Sequence, residues 1–158
     1  MRNLIALIRD DVSTAIRRDP AARSSLEVIL TYPGVHALWV HRVAHHWWRR
    51  GWKLPARILA ASARRRTGVE IHPGAVIGRR VFIDHGMGVV IGETARVGDD
   101  VLIYHDVTLG ARPGSNGKRH PSIGDDAILG AGARIIGPVT VAKGVRVAAN
   151  EVITNDRN

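Results

Sequence analysis

The sequence predicts an α+β chain in which a short N-terminal α-helical region, residues 1–68, precedes a parallel β-helix of hexapeptide repeats over residues 69–158. Three observations lead there. Apolar residues recur at helical spacing up to residue 68; from residue 69 an Ile, Leu or Val recurs every six residues; and the excess of basic charge stays in the first part.

In the first part, "NLIALIRDDVSTAIRR" places apolar side chains at 4, 5, 8, 12, 15 and 16, the stripe of an amphipathic helix. "SSLEVILTY" starts a second helix at a serine cap and ends before Pro33-Gly34. A third, "VHALWVHRVAHHWWRRG", stops at Gly51, and Leu54-Pro55 opens a fourth that reaches Thr67-Gly68. Trp39, Trp47, Trp48 and Trp52 are expected to pack the helices on one another or on the β-helix. His36, His41, His45 and His46 bring no carboxylate with them, so they are read as packing residues rather than metal ligands.

From residue 69 the period changes. Ile71, Ile77, Ile83, Ile91, Val97, Ile103, Leu109, Ile123, Leu129, Ile135, Val141, Val147 and Ile153 stand in one register. Two residues before them lie small or β-branched residues such as Val69, Ala75, Val81, Val101 and Ala133. A six-residue period fits neither an α-helix nor a long strand; it suits short strands joined by tight turns, three hexads closing one coil of a triangular prism. Thirteen hexads make a little over four coils, stacked at the ~4.8 Å strand spacing. The register slips twice, since 83 to 91 is eight residues and 109 to 123 is fourteen. Extra residues in a solenoid loop outward. The loops at 84–90, with "DHGMG", and 111–122, with "ARPGSNGKRHPS", are therefore the candidate functional segments.

The absence of cysteine from all 158 residues excludes disulfides, thiolate nucleophiles and cysteine zinc sites, so catalysis would rest on His, Asp or Glu. No apolar run reaches eighteen residues, and Arg9, Asp10 and Asp11 interrupt the first apolar stretch; a cytoplasmic protein without a membrane partner is expected. The net charge of +9 divides unevenly, with 13 Lys or Arg against 4 acids in residues 1–68 and 10 against 10 beyond. Arg49-Arg50 and Arg64-Arg65-Arg66 are read as solvated helix ends rather than as a nucleic-acid surface.

Four segments, "DPAARSSLEVILTYPGVHAL", "TGVEIHPGAVIG", "FIDHGMGVVIGETARVGDDVLIYHDVTLG" and "GKRHPSIGDDAILGAGARIIGP", together resemble the serine O-acetyltransferases, over a span from about Asp19 to Val147. Hexapeptide repeats are shared by many acyltransferases, whereas the IDHGMG and GKRHP segments in combination are specific. The resemblance implies a left-handed β-helix, acetyl-CoA as co-substrate, L-serine as acceptor and O-acetyl-L-serine as product for cysteine biosynthesis. Neither a metal nor a covalent enzyme intermediate is needed.

A serine hydroxyl is a weak nucleophile at neutral pH and requires a base as it attacks the thioester. The resemblance implies that His85 is that base and that Glu70, fifteen residues earlier, orients it, where the family often has Asp. It implies Asp19 and Asp84 as partners of the substrate ammonium, and Arg119 and His120 as partners of its carboxylate. For CoA it points to Gly110, Ala111, Ala131 and Gly132 for close backbone approach, and to Lys143 and Arg146 for the phosphates. Ala111 stands where the family usually has Gly; were a positive φ required there, Ala would strain the backbone whose N–H faces the thioester oxygen. His105 occupies the same place in its hexad as His85, so the two imidazoles are expected to stack one coil apart. The β-helix carbonic anhydrases hold zinc with three histidines that include a His-x4-His pair. His72, His85, His105 and His120 are spaced 13, 20 and 15 apart and offer none, so no metal is expected.

The resemblance further implies a homotrimer whose sites are shared between neighbouring chains. Longer members join two trimers through a larger helical region; with about 66 residues before the repeat, a single trimer is expected here rather than a hexamer. The chain stops at "NEVITNDRN" where relatives continue through a proline-containing tail, so a weaker hold on adenine and no docking to cysteine synthase are expected. Cysteine fits a serine pocket and is an expected feedback inhibitor. The alternatives are an O-acetyltransferase for homoserine or another serine-like acceptor, and a non-catalytic hexapeptide scaffold.

Overall fold

The computed structural model describes residues 4–112, 114 and 117–158. Pro113, Ser115 and Asn116 of the expected 111–122 loop, and the first three residues of the helical region, lie outside the described residues. The apolar spacing of the first part yields four helices: α1 (Leu4–Arg18), α2 (Ser25–Thr31), α3 (Pro33–Arg49) and α4 (Lys53–Thr67). Ser24 caps α2 by accepting from the Glu27 N–H at 3.1 Å, and Gly68 closes α4 in the left-handed region at φ 70. Pro33-Gly34 opens α3 instead of standing between helices. Proline has no N–H to lose at a first helical position. Inside the helix, Gly34 lets α3 approach β3 closely, since a Cβ there would collide with the Ile83 carbonyl oxygen.

The hexads become thirteen short strands: β1 (Glu70–Ile71), β2 (Val76–Ile77), β3 (Phe82–Ile83), β4 (Val90–Ile91), β5 (Arg96–Val97), β6 (Leu102–Ile103), β7 (Thr108–Gly110), β8 (Ser122–Ile123), β9 (Ile128–Leu129), β10 (Arg134–Ile136), β11 (Thr140–Val141), β12 (Arg146–Val147) and β13 (Val152–Ile153). Every aliphatic of the predicted register falls in one of them. They form three parallel sheets in the orders β1-β4-β7-β10-β13, β2-β5-β8-β11 and β3-β6-β9-β12, here sheets A, B and C. Like residues pair from coil to coil, Ile71 with Ile91, Ile91 with Leu109, Leu109 with Ile135 and Ile135 with Ile153. The ladders are almost entirely sealed, and their apolar burial stabilises the prism at ~25 cal/mol per Å². At the far end Arg157 extends sheet B, its N–H donating to the Thr140 carbonyl and its carbonyl accepting from Ala142. That pairing covers an edge otherwise left open.

The helices cover the lower coils of sheet C. Phe82 points outward from β3 and is buried among Val12, Ala15, Val28 and Val35. Between α1 and α3, Asp11 and Arg42 form a buried two-pronged pair, Nη2–Oδ1 2.6 Å and Nε–Oδ2 3.0 Å. Burial raises the Asp11 carboxyl from its ordinary range, opposed by Arg42. Arg79 binds Asp10 at 2.5 Å and Arg18 donates to the Asp100 carbonyl at 2.7 Å, joining α1 to the prism. On the other flank, His45 Nδ1 contacts the Pro73 carbonyl at 2.8 Å and Trp48 meets the His72 ring edge-on at 4.8 Å. Trp52 stays exposed, its ring tilted against that of Trp47 with centroids 6.3 Å apart. Among the described residues no helix is long and apolar enough to cross a membrane.

Asp11→Ala leaves Arg42 buried without a counter-charge, and a loss of about 3–5 kcal/mol is expected in urea denaturation. Burial also pushes His41 down to about 3 and His72 to about 4. The unfolded chain takes up both protons near pH 6.5 while the folded chain resists them, so stability is full above that pH and is lost as pH falls toward 4. Thermal melts from pH 7 to pH 4 are expected to show this decline. His72→Asn, which keeps an acceptor for the Gly74 N–H that His72 Nδ1 binds at 3.0 Å, is expected to lessen the decline and leave the His41 share.

Candidate functional site

The two extra residues of the first insertion are His85 and Gly86. Coil-to-coil pairing is in register up to Asp84, whose N–H donates to the Ile103 carbonyl at 2.8 Å. It resumes at Met87, whose carbonyl accepts from the Asp106 N–H at 2.8 Å. Between them His85 (φ 58) and Gly86 (φ 77) are both left-handed and bulge from the corner between sheets C and A. A left-handed backbone is costly for a histidine and is held here by the intact ladder on either side. The bulge corrects one expectation. His105 is equivalent in the coil to Met87 and not to His85, because the carbonyls of Met87 and His105 bind the next coil's corner amides, Asp106 and Gly132. The His85 and His105 rings still meet, edge-on, with centroids 5.8 Å apart.

The His85 side chain is 74% exposed, with its Nε2 4.0 Å from Asp84 Oδ2. Docking of the helices on β3 brings Asp19 and Tyr32 to the same corner. The Tyr32 hydroxyl donates to Asp19 Oδ2 at 2.6 Å and the Ala21 N–H to Oδ1 at 2.8 Å. These two bonds, the Tyr32 bond first, hold the Asp19 carboxyl below its usual range, and His85 is near enough to add to the effect. Tyr32 is pushed up to about 12 by burial and by Asp19, with a smaller contribution from Asp84. The corner thus presents two carboxylates beside an exposed imidazole, a set suited to a cationic group next to a proton acceptor. Glu70 is elsewhere engaged, its Oε2 3.1 Å from Arg64 Nη1 of α4; among the described residues no hydrogen bond or ion pair joins it to His85.

Arg119 and His120 stand at a different corner, between sheets A and B. Arg119 is paired with Glu93. His120 is buried against Gly92, where any Cβ would collide with its ring, and Thr94 binds its Nδ1. Burial, followed by Arg119, lowers the His120 pKa, while Glu93 opposes. Beside them opens a cleft of about 330 Å³ lined by Trp48, Glu93, Thr94, Arg96 and Lys118. Within one chain the whole width of sheet A separates this corner from His85.

The remaining candidates are spread over all three corners. Gly110 and Ala111 lie at the A–B corner, Ala131 and Gly132 at the C–A corner, and Lys143 at the B–C corner, where it pairs with Asp126 at 3.3 Å. Arg146 is exposed on β12. Ala111 is not among the residues with positive φ, so the anticipated strain is absent. Gly132 also has an internal reason to be glycine, its φ of 71, while a Cβ at Gly110 would only displace the tip of the Ile136 side chain. Among the described residues no group of three His, Cys, Asp or Glu side chains is arranged to hold a metal ion. Sequence reasoning missed Tyr32, Glu93 and Thr94. Tyr32 adjoins the Pro33 helix start, a position that could have marked it; nothing in "GET" signals its use.

Gly92→Ala is expected to expel the His120 ring from its seat. Carbethoxylation of His120, followed by peptide mass spectrometry, should be faster in the variant than in the parent chain.

No family model matches the chain. It is 57% identical over 150 residues to the serine acetyltransferase of Mycobacterium tuberculosis, covering 95% of this chain and 66% of that protein. It is 51% identical over 155 residues to the serine acetyltransferase of Staphylococcus xylosus, covering 98% and 72%. Among solved structures, serine acetyltransferase isoform 3 of Entamoeba histolytica in complex with cysteine matches with a TM-score of 0.94 at 43% identity, covering 98% of this chain and 55% of that one. The Neisseria gonorrhoeae enzyme in complex with serine matches with a TM-score of 0.93 at 34% identity, covering 98% and 63%. The chain therefore spans about two thirds of the length of the curated relatives it matches. Four helices followed by three sheets of short parallel strands match the left-handed β-helix of such structures.

Proposed function

The chain belongs to the serine acetyltransferase family, and from that premise we propose that it transfers the acetyl group of acetyl-CoA to the hydroxyl of L-serine, releasing O-acetyl-L-serine and CoA for cysteine biosynthesis. The observation that carries this reading is the bulged, exposed His85 flanked by the Asp19 and Asp84 carboxylates. His85 accepts the hydroxyl proton as the serine oxygen attacks the thioester carbonyl carbon. The tetrahedral intermediate then expels the thiolate, the C–S bond breaks, and the imidazolium returns its proton to sulfur. Asp19 and Asp84 receive the substrate ammonium. Glu70 orients His85, a role that requires its carboxylate to exchange Arg64 for the imidazole.

The substrate carboxylate falls to Arg119 and His120 of a neighbouring copy, because one chain holds the two halves at separate corners. A homotrimer supplies three such composite sites. CoA lies between neighbouring prisms along Gly110, Ala111, Ala131 and Gly132, with Lys143 and Arg146 as phosphate partners. Cysteine, which has the same ammonium and carboxylate as serine, competes at the acceptor site; the complex of the Entamoeba histolytica relative with cysteine supports this. The ordinary backbone of Ala111 removes one ground for regarding the chain as a non-catalytic scaffold.

The decisive assay is CoA thiol release with acetyl-CoA and L-serine, run beside homoserine. Serine is expected to be the better acceptor, and His85→Ala to lower turnover by about 10²–10⁴-fold. Light scattering is expected to give three chains per particle; absence of release with any acceptor from a folded trimer would overturn the reading.

A further inference from the structure

Thr94 grips His120 with both its backbone and its side chain. Its hydroxyl oxygen accepts from the backbone N–H groups of Arg119 and His120, each at 3.0 Å. A hydroxyl has two lone pairs and one hydrogen, so its hydrogen remains for an acceptor. That acceptor is His120 Nδ1, 2.9 Å away. The Thr94 backbone N–H donates to the same nitrogen at 3.2 Å. Two donors converging on one ring nitrogen require a lone pair there.

We propose that Thr94 is a positioning residue that fixes His120 as the neutral tautomer with its proton on Nε2, so that the ring is a one-way hydrogen-bond donor toward the carboxylate of the acceptor amino acid. The identity of that ligand rests on the acetyltransferase reading; the tautomer does not. An imidazolium would carry a proton on Nδ1 facing both Thr94 donors. Burial and the neighbouring Arg119 and Lys118 cations oppose that charge as well, against the attraction of Glu93. Nε2 has no hydrogen-bond partner among the described residues. The division of labour is then plain. Arg119, paired with Glu93, supplies positive charge, and His120 supplies a directed donor whose protonation state does not vary with modest changes of pH.

The test uses the full chain labelled with ¹⁵N-histidine. In the parent protein the His120 ring is expected to show a pyridine-type Nδ1 and a protonated Nε2 down to pH 6. Thr94→Val removes the hydroxyl and is expected to bring a mixture of tautomers and a higher ring pKa. It should raise the KM for serine about tenfold, the value of one hydrogen bond. The KM for acetyl-CoA and kcat should stay within about twofold. Thr94→Ser should restore both the spectrum and the serine KM. A proton on Nδ1 in the parent protein overturns the proposal, as does a Thr94→Val chain that keeps a pure Nε2–H ring and the parental KM. Should Thr94→Val not fold, Thr94→Ala, which also lacks the hydroxyl, is read in its place by the same ring-nitrogen spectrum and serine KM. Failure of the parent protein to acetylate serine would sink the acetyltransferase reading, while the ring-nitrogen spectrum would still establish or refute the tautomer.

Discussion

The vertical register of the coils is the constraint on which the rest depends. Each backbone amide of a strand must find a carbonyl one coil away, and each aliphatic must fall on its like in the ladder. A chain under that requirement can accept extra residues only where they leave the prism. His85-Gly86 is such an addition. The ladder is satisfied at Asp84 and again at Met87, so the whole cost of the excursion is confined to two left-handed residues at a corner. Rigid pairing on both sides is also what makes the histidine's position reproducible, since a bulge anchored at each end has little freedom left.

The helical region is more than a cover. Its contact with the prism runs through Phe82, immediately before Ile83 and Asp84, and through Gly34, whose missing Cβ lets α3 approach the Ile83 carbonyl. Packing at those two points determines where Asp19 and Tyr32 come to rest relative to His85. The Asp10–Arg79 and Arg18–Asp100 contacts are partly solvated and add little energy, but they limit rotation of α1 on the prism. The buried Asp11–Arg42 pair tells between correct and shifted packings of α1 on α3, because a shifted helix would strand two charges in an apolar seam.

Much of the prism was legible because its signal is one-dimensional: thirteen aliphatics, six residues apart but for two slips, each fall in one of the thirteen strands of the described residues. Helix ends were legible where one residue decides them, as with Ser24, Gly51 and Gly68. Counting failed where two registers compete. Measured forward from Ile83 and Ile103, His85 and His105 look equivalent; measured backward from Ile91 and Leu109, the two extra residues come first and Met87 takes that place. Sequence spacing alone cannot choose, whereas hydrogen bonds on both flanks can. Glu70 posed a different difficulty. Its nearest cation comes from α4, across a junction whose angle no local pattern encodes. The Thr94–His120 bonds join residues 26 apart, beyond any short motif.

A triangular prism also limits what one copy can do. Side chains on neighbouring corners diverge, so a residue at the C–A corner and another at the A–B corner of the same chain face different regions of solvent. On the proposed reading, groups that must converge on one small, doubly charged amino acid cannot be gathered by lengthening a loop without surrendering the rigidity that the ladder provides. A second prism laid alongside can bring its A–B corner to the first prism's C–A corner with both ladders undisturbed. The separation of Arg119 and His120 from His85 is thus the geometric ground for the proposed trimer: in such a solenoid, oligomerisation substitutes for the long convergent loops that a globular enzyme would use.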